Sequence, residues 1–340
     1  GNDGGSTITA LTLDMSEAGT ATFNHDVKLP SGGNLFFTSG SSFSPRLSNS
    51  NSDTALSFFT NNTERFQIAT DGGLHVLTPG TSNVRLGVNA GDSIASGTNY
   101  NVLVGDEAGT ALNSGDQNVA VGYQALASEN AASNHVAVGY RALMDMDGGN
   151  GNCAVGASAL ENLTNASRVT AVGNAAGFHS LGADDTTYIG NEAGHFATTS
   201  EDSVFVGSRA GKGIDGAKLT GNNNTAVGSH AGLLLQGAAN ANTIMGANAG
   251  DALTTGVENV IIGYLAGTHG VNFQTGSRCV IIGAYADTTT TGATDAQVIG
   301  QDVSGQGGYT TLGSGTADIR AQNGVATWAT VSDERYKKDI

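Results

Sequence analysis

The chain has 340 residues, of which 51 are glycine and three proline, with 13% charged and 6% aromatic residues. That much glycine and so few large side chains exclude ordinary globular domains built on one deep core, and the scarcity of proline excludes collagen and polyproline linkers. A formal charge of −16 argues against nucleic acid as a partner, because a phosphate backbone calls for a Lys/Arg stripe, and no run of about 18 apolar residues is present to enter a membrane.

Residues 1–82 form the first region. Short alternating segments such as Ala10–Asp14, Thr20–Phe23 and Val27–Leu29, separated by Gly and Asn, predict a β-rich stem. It holds so few large apolar residues that one chain would lack a core, which favours β-structure intertwined between chains.

From residue 83 to 313 the chain is periodic. An aliphatic-Gly pair recurs at Gly87, Gly105, Gly122, Gly139, Gly156, Gly173, Gly190, Gly207, Gly228, Gly246, Gly263, Gly283 and Gly300, with a degenerate copy at Gly313. The spacings are 18, then six of 17, then 21, 18, 17, 20, 17 and 13. The unit reads N-[TV]-A-V-G-x-x-A-[GL] followed by a variable polar tail. A fixed period of this length is the mark of a solenoid, in which each coil buries its face only by stacking on its neighbours.

The three residues before each Gly predict a strand. The first is mostly β-branched (Val84, Val119, Thr170, Val260) and the third is aliphatic or Met in all fourteen copies, from Leu86 to Leu312; this alternation suggests that these two face inward. The residue between them is Ala (Ala120, Ala137, Ala154) or Ile (Ile244, Ile261, Ile281) rather than polar, so both faces look covered, one by the solenoid interior and one by neighbouring subunits. The Ala three residues after Gly suits a tight corner or a single helical turn. Asn opens the strand at Asn83, Asn101, Asn118, Asn152, Asn224, Asn242 and Asn259, either as a ladder along the axis or as a local turn former. Insertions at 212–221 and 268–276 enlarge tails, where binding differences would sit.

Other chemistry in the repeats is weak. Cys153 and Cys279 lie in the strand segment seven coils apart, too far for an intrachain disulfide at about 4.8 Å per coil, and read as two small buried thiols. Asp145, Asp147, Asn150 and Asn152 resemble part of a calcium loop without its closing Glu, since Glu161 lies too far along. The histidines, His135, His179, His195, His230 and His269 among them, are spread singly without zinc-like spacing, and read as polar corner residues. No metal and no cofactor is expected. Residues 314–331 form a connector, and 332–340, Ser-Asp-Glu-Arg-Tyr-Lys-Lys-Asp-Ile, close the chain.

Three of these features resemble known families. The N-[TV]-A-V-G units are similar to the N-S-V-A-I-G head repeats of trimeric autotransporter adhesins, and Gly122–Leu126 and Gly139–Leu143 to the G-Y-Q-A-L repeats of phage tail fibres. Thr63–Gly73 resembles the E-R-M-R-I-D-x-x-G segments of such fibres. Ser332–Ile340 looks like the S-D-E-R-L-K-x-x-I opening of endosialidase-type intramolecular chaperone domains, which trimerise fibres and then cleave themselves off. The resemblance implies Ser332 as nucleophile at the Ser332–Asp333 junction and Lys337 as its general base. Tyr336 departs from the usual Leu.

Together these imply an all-β chain: a parallel β-solenoid of about fourteen 17-residue coils in a homotrimer, behind an intertwined stem. The expected function is a bacteriophage tail fibre shaft in the virion, bound to other tail proteins at its N-terminal end and to a host glycan or outer-surface protein. No enzyme activity is expected beyond self-cleavage. The alternatives are a cellular surface adhesin or extracellular filament, and a polysaccharide depolymerase, which would need paired carboxylates in a groove.

Overall fold

In a computed structural model, residues 34–36, 46–48, 56–60, 63–68, 74–76, 82–315, 317–325, 327 and 329–330 are described. The segments predicted as strands between residues 10 and 29 lie outside them, as do Ser332 and Lys337. The chain divides into two compact units, Gly1–Leu77 and Thr78–Ile340.

In the first unit, strands β1 (Asn34–Phe36), β2 (Arg46–Ser48), β3 (Leu56–Thr60), β4 (Thr63–Ile68) and β5 (Leu74–Val76) pair in chain order as an antiparallel meander within the one chain. A bulge at Phe58/Phe59 interrupts the β3–β4 register.

The second unit is a parallel β-solenoid of about fourteen coils. Twelve three-residue strands, from β6 (Val84–Leu86) to β17 (Val280–Ile282), pair in chain order, followed by Gln297–Gln301 and Tyr309–Ser314. Equivalent repeat positions lie side by side throughout, as in Cys153↔Thr170, Ala154↔Ala171 and Val155↔Val172. Thirteen such steps of about 4.8 Å make a stack roughly 60 Å long. The predicted connector continues the sheet: Ala317–Gln322 folds back antiparallel on Tyr309–Ser314 and pairs with Ala329–Thr330. There is no helix among the described residues. The corner that sequence allowed as a helical turn is a run of tight turns instead.

The three-residue strands β6 to β17 each end against a glycine that no other residue can replace. The φ of Gly156 is +141° and that of Gly207 is +132°, a region that L side chains rarely enter. Adjacent coils also touch here: a Cβ on Gly207 would lie 2.5 Å from the Gly228 carbonyl oxygen, and one on Gly156 would overlap the Gly173 carbonyl. Around this point the chain turns through left-handed residues five before, two after and four after the glycine, as at Arg168, Ala175 and Gly177. Their N–H groups point along the axis and bond the neighbouring coil, Arg168 to the Asn150 carbonyl, Ala175 to that of Ala157 and Gly177 to that of Ala193. Non-glycine residues in this conformation cost about 1–2 kcal/mol each. From Glu107 to Asp302 an inter-coil hydrogen bond from the residue's own N–H offsets that cost.

The core is narrow. The middle strand residue points inward and is fully buried, whether Ala120, Ala154, Tyr188, Phe205 or Ile261. The residue four after the glycine faces it, and in most coils the two trade size. Where the middle residue is Ala120, Ala137 or Ala154, that position is Leu126, Leu143 or Leu160. Where it is Leu103, Tyr188, Phe205, Ile244 or Ile261, the position is glycine, and a Cβ on Gly211 would overlap the Phe205 ring. Ala171 and Ala226 are instead paired with glycine, at Gly177 and Gly232, and there Leu160 and Tyr188, and Leu235 and Ile244, reach the space, which keeps the interior close-packed.

The asparagines form a ladder, not isolated turns. Each is buried, its Oδ1 accepts the N–H of the next coil's equivalent residue, and its Nδ2 donates to a carbonyl in that coil's tail. Asn242 Oδ1 accepts from the Asn259 N–H at 3.1 Å and Asn242 Nδ2 donates to the Gly256 carbonyl at 2.8 Å. Ser203 and Cys279 continue the row with shorter side chains, Ser203 Oγ accepting the Asn224 N–H and Cys279 Sγ the Ala296 N–H.

Two stability predictions follow from these contacts. Gly156→Ala forces both strain and overlap and lowers unfolding free energy by about 2–5 kcal/mol. Gly182→Ala, at an ordinary φ with its nearest neighbour atom 3.7 Å away, changes it by less than about 0.5 kcal/mol. Urea titration followed by circular dichroism separates them. Asn242→Ala orphans the Gly256 carbonyl and the Asn259 N–H inside the stack and costs about 2–4 kcal/mol, with amide exchange accelerating first at Asn259.

Candidate interaction surface

The strand faces are the reverse of the expectation. The middle residue is the one that points inward, because the narrow interior accommodates Ala, Leu or one ring per coil. The flanking residues therefore point out. The residue before each glycine is thus an external row of aliphatic side chains, one per coil. Leu86 is 67% exposed, Val172 39%, Ile189 40%, Met245 46% and Ile299 40%. Beside it, the residue after the glycine adds Val88, Tyr123, Tyr140 and Tyr264, all exposed. Tyr123 and Tyr140 stack at 5.6 Å, with the Arg141 guanidinium 5.1 Å from the Tyr140 ring centre.

Polar side chains on the other outward positions are laddered by the same register. Gln124 donates to Glu107 and accepts from Arg141 one coil further on. Arg278 makes a two-pronged contact with Asp295, and Lys212 and Arg209 both reach Glu192. The hydrogen bond from Lys212, then that from Arg209, holds the Glu192 carboxyl below its usual range. At this exposure such pairs contribute little to stability; their effect is to tie up charge beside the apolar row. Asp145 and Glu161 lie on neighbouring coils; burial and then the Glu161 charge raise the Asp145 pKa, and Arg141 pairs with Glu161 at 3.6 Å.

The insertions are anchored rather than loose. Leu219 and Phe273 each send a fully buried side chain into the core. Asp287 clamps the second insertion by accepting the N–H groups of Gly270 and Val271, each at 2.8 Å. Where the last coil shortens to 13 residues, a groove of about 500 Å³ opens, lined by Arg278, Asp295, Gln297, Thr310, Gln322 and Asn323 among others.

Several single-residue expectations change. Cys279 is buried in the ladder, and burial raises its pKa, but Cys153 is only half-buried and belongs to the outward face. Asn150 and Asn152, read as part of a calcium loop, accept the N–H groups of Ser133 and Val169. His179 and His195 are not lone corner residues: Phe178 stacks on His195 at 5.1 Å and His179 on Phe196 at 5.2 Å, and burial lowers both imidazole pKa values. His135 is not at a corner at all; it occupies the asparagine ladder, fully buried. Sequence reading missed the external row because its aliphatic residues carry the same signature as a core. The chain matches no known family model, no curated protein and no solved structure.

Proposed function

We propose that this chain is the shaft of a homotrimeric attachment fibre, a bacteriophage tail fibre that carries host-surface recognition on a stiff extended stack. The observation that supports it best is the external aliphatic row. Soluble monomers rarely leave a continuous apolar strip of this length uncovered. A strip roughly 60 Å long and about 10–13 Å wide, counting the equally outward, mostly Val and Thr row three residues before each glycine, offers about 600–800 Å² per copy, the size of a stable subunit interface. In-register stacking repeats the same side chains along the strip, so that copies arranged around an axis can bury it against one another. The surface ladders pair charges on the outer positions that flank the row, which suits a rod whose remaining surface stands in water. Resemblance of the repeats to phage fibre repeats, and of Ser332–Ile340 to the start of a self-cleaving chaperone, supplies the virion context and the trimer.

Light scattering on the soluble chain is expected to return three times the chain mass; a monomer mass would overturn the reading. Val172→Lys combined with Ile189→Lys is expected to dissociate the assembly while the β-sheet circular dichroism signal persists. In the longer protein that includes the chaperone, Ser332→Ala is expected to abolish the processed product. An unchanged product size would remove the self-cleavage step but not the fibre.

A further inference from the structure

One coil departs from the repeat at two positions that meet inside it. Seven residues after the glycine, the other 17-residue coils place an apolar or small residue, such as Leu112, Met146, Leu163 or Leu253. The ladder position then holds Asn118, Asn152, Val169 or Asn259. Between Gly122 and Gly139 those two positions are Glu129 and His135. Both are buried, at 1% and 0% exposure. An acidic residue and a titratable ring replace an aliphatic and an amide together, in the same segment.

Each substitute has taken over structural work. Glu129 Oε1 accepts the N–H groups of Ala131 and Ala132 at 2.8 and 2.6 Å, and Oε2 that of Gly148 at 3.2 Å. His135 keeps the ladder running: its N–H donates to Asn118 Oδ1, and its Nδ1 accepts the Asn152 N–H at 3.3 Å. An accepting Nδ1 places the ring proton on Nε2, which lies 3.9 Å from Glu129 Oε2 without a hydrogen-bond partner. The groups acting on the ring are Glu129, Asn118 from the coil before, Asn152 from the coil after, and the Gly149 backbone; of these only Glu129 is acidic.

We infer that His135 is an acid-responsive joint in the stack, at which protonation of Nδ1 breaks the ladder between this coil and the next. An asparagine oxygen accepts at any pH. An imidazolium has no acceptor, so its Nδ1–H would face the Asn152 N–H. Glu129 stands close enough to draw the proton-bearing ring toward itself when that bond is lost. Because solenoid stability is a sum of nearest-neighbour terms, losing one rung opens a local joint and leaves the other coils stacked. Burial lowers the His135 pKa, against the opposing pull of Glu129 and Gly149. The folded state therefore binds its proton less readily than the unfolded chain. The rung is at full strength above the ordinary imidazole value of about 6.5, and is lost as pH falls through the lower folded value.

This inference is independent of the fibre reading and holds for any assembly of the chain. Hydrogen exchange on the intact protein, corrected for the intrinsic pH dependence, tests it between about pH 8 and pH 5. Protection of the Asn152 amide is expected to fall roughly tenfold or more, while that of Asn259, in an all-asparagine stretch, stays constant. In His135→Asn the ladder acceptor is restored and the response at Asn152 disappears; an equal loss of protection in that variant overturns the inference. If the variant does not fold, ¹⁵N-histidine spectra of the unaltered protein decide. An unprotonated Nδ1 at neutral pH that titrates in step with the Asn152 amide supports the joint. An Nδ1–H form at neutral pH, or titration without effect on Asn152, overturns it.

Discussion

The approach of one strand-end glycine to the carbonyl of the next is the contact on which everything else in the solenoid depends. Backbone meets backbone along this column, so it admits no side chain and fixes how closely coils stack. Close stacking puts equivalent residues of successive coils in register. Ladders of asparagine inside and of Glu, Gln and Arg outside are consequences of that register, since each needs the same residue position repeated at strand spacing. The left-handed turns belong to the same economy. Residues such as Arg168 and Ala175 accept an unfavourable backbone conformation because it aims their N–H groups along the axis.

A stack this tight leaves a slim interior, and that explains the composition. Middle strand residue and corner residue share that space, so Leu126 accompanies Ala120 and Gly211 accompanies Phe205. The strand residues on either side of the middle one have only the outer face left, and there the aliphatic residue before each glycine forms a row along the stack. The same geometry makes single positions consequential. His135 works as a rung only while its Nδ1 is free of a proton, whereas neighbouring asparagines carry no such condition.

Much of this was legible in the sequence. The period, the strand and the solenoid follow from the glycine spacing alone, and the four-after-glycine choice between Gly and Leu was visible as a pattern. Its cause was not, because the compensation runs across the coil interior rather than along the chain. Strand parity was misread for a related reason. Val119, Ala120 and Val121 are all apolar, so alternation carries no contrast, and larger residues look like core until the width of the coil is known. The ladder role of asparagine was ambiguous because turn formation and inter-coil bonding select the same residue. Glu129 and His135 each looked unremarkable singly, and only alignment of the coils shows that they deviate together. The proposed cleavage pair, Ser332 and Lys337, rests on resemblance of the terminal segment and lies beyond the described residues.

The central claim is that the external aliphatic row faces other copies of the chain. It is tested most directly by placing a nitroxide label on that row, at Ile189→Cys in a background with Cys153 and Cys279 replaced, and recording the electron paramagnetic resonance spectrum. The account predicts an immobilised label with dipolar broadening between copies, relieved when labelled chains are refolded with excess unlabelled chain. A mobile label without broadening would show the row open to water and contradict it.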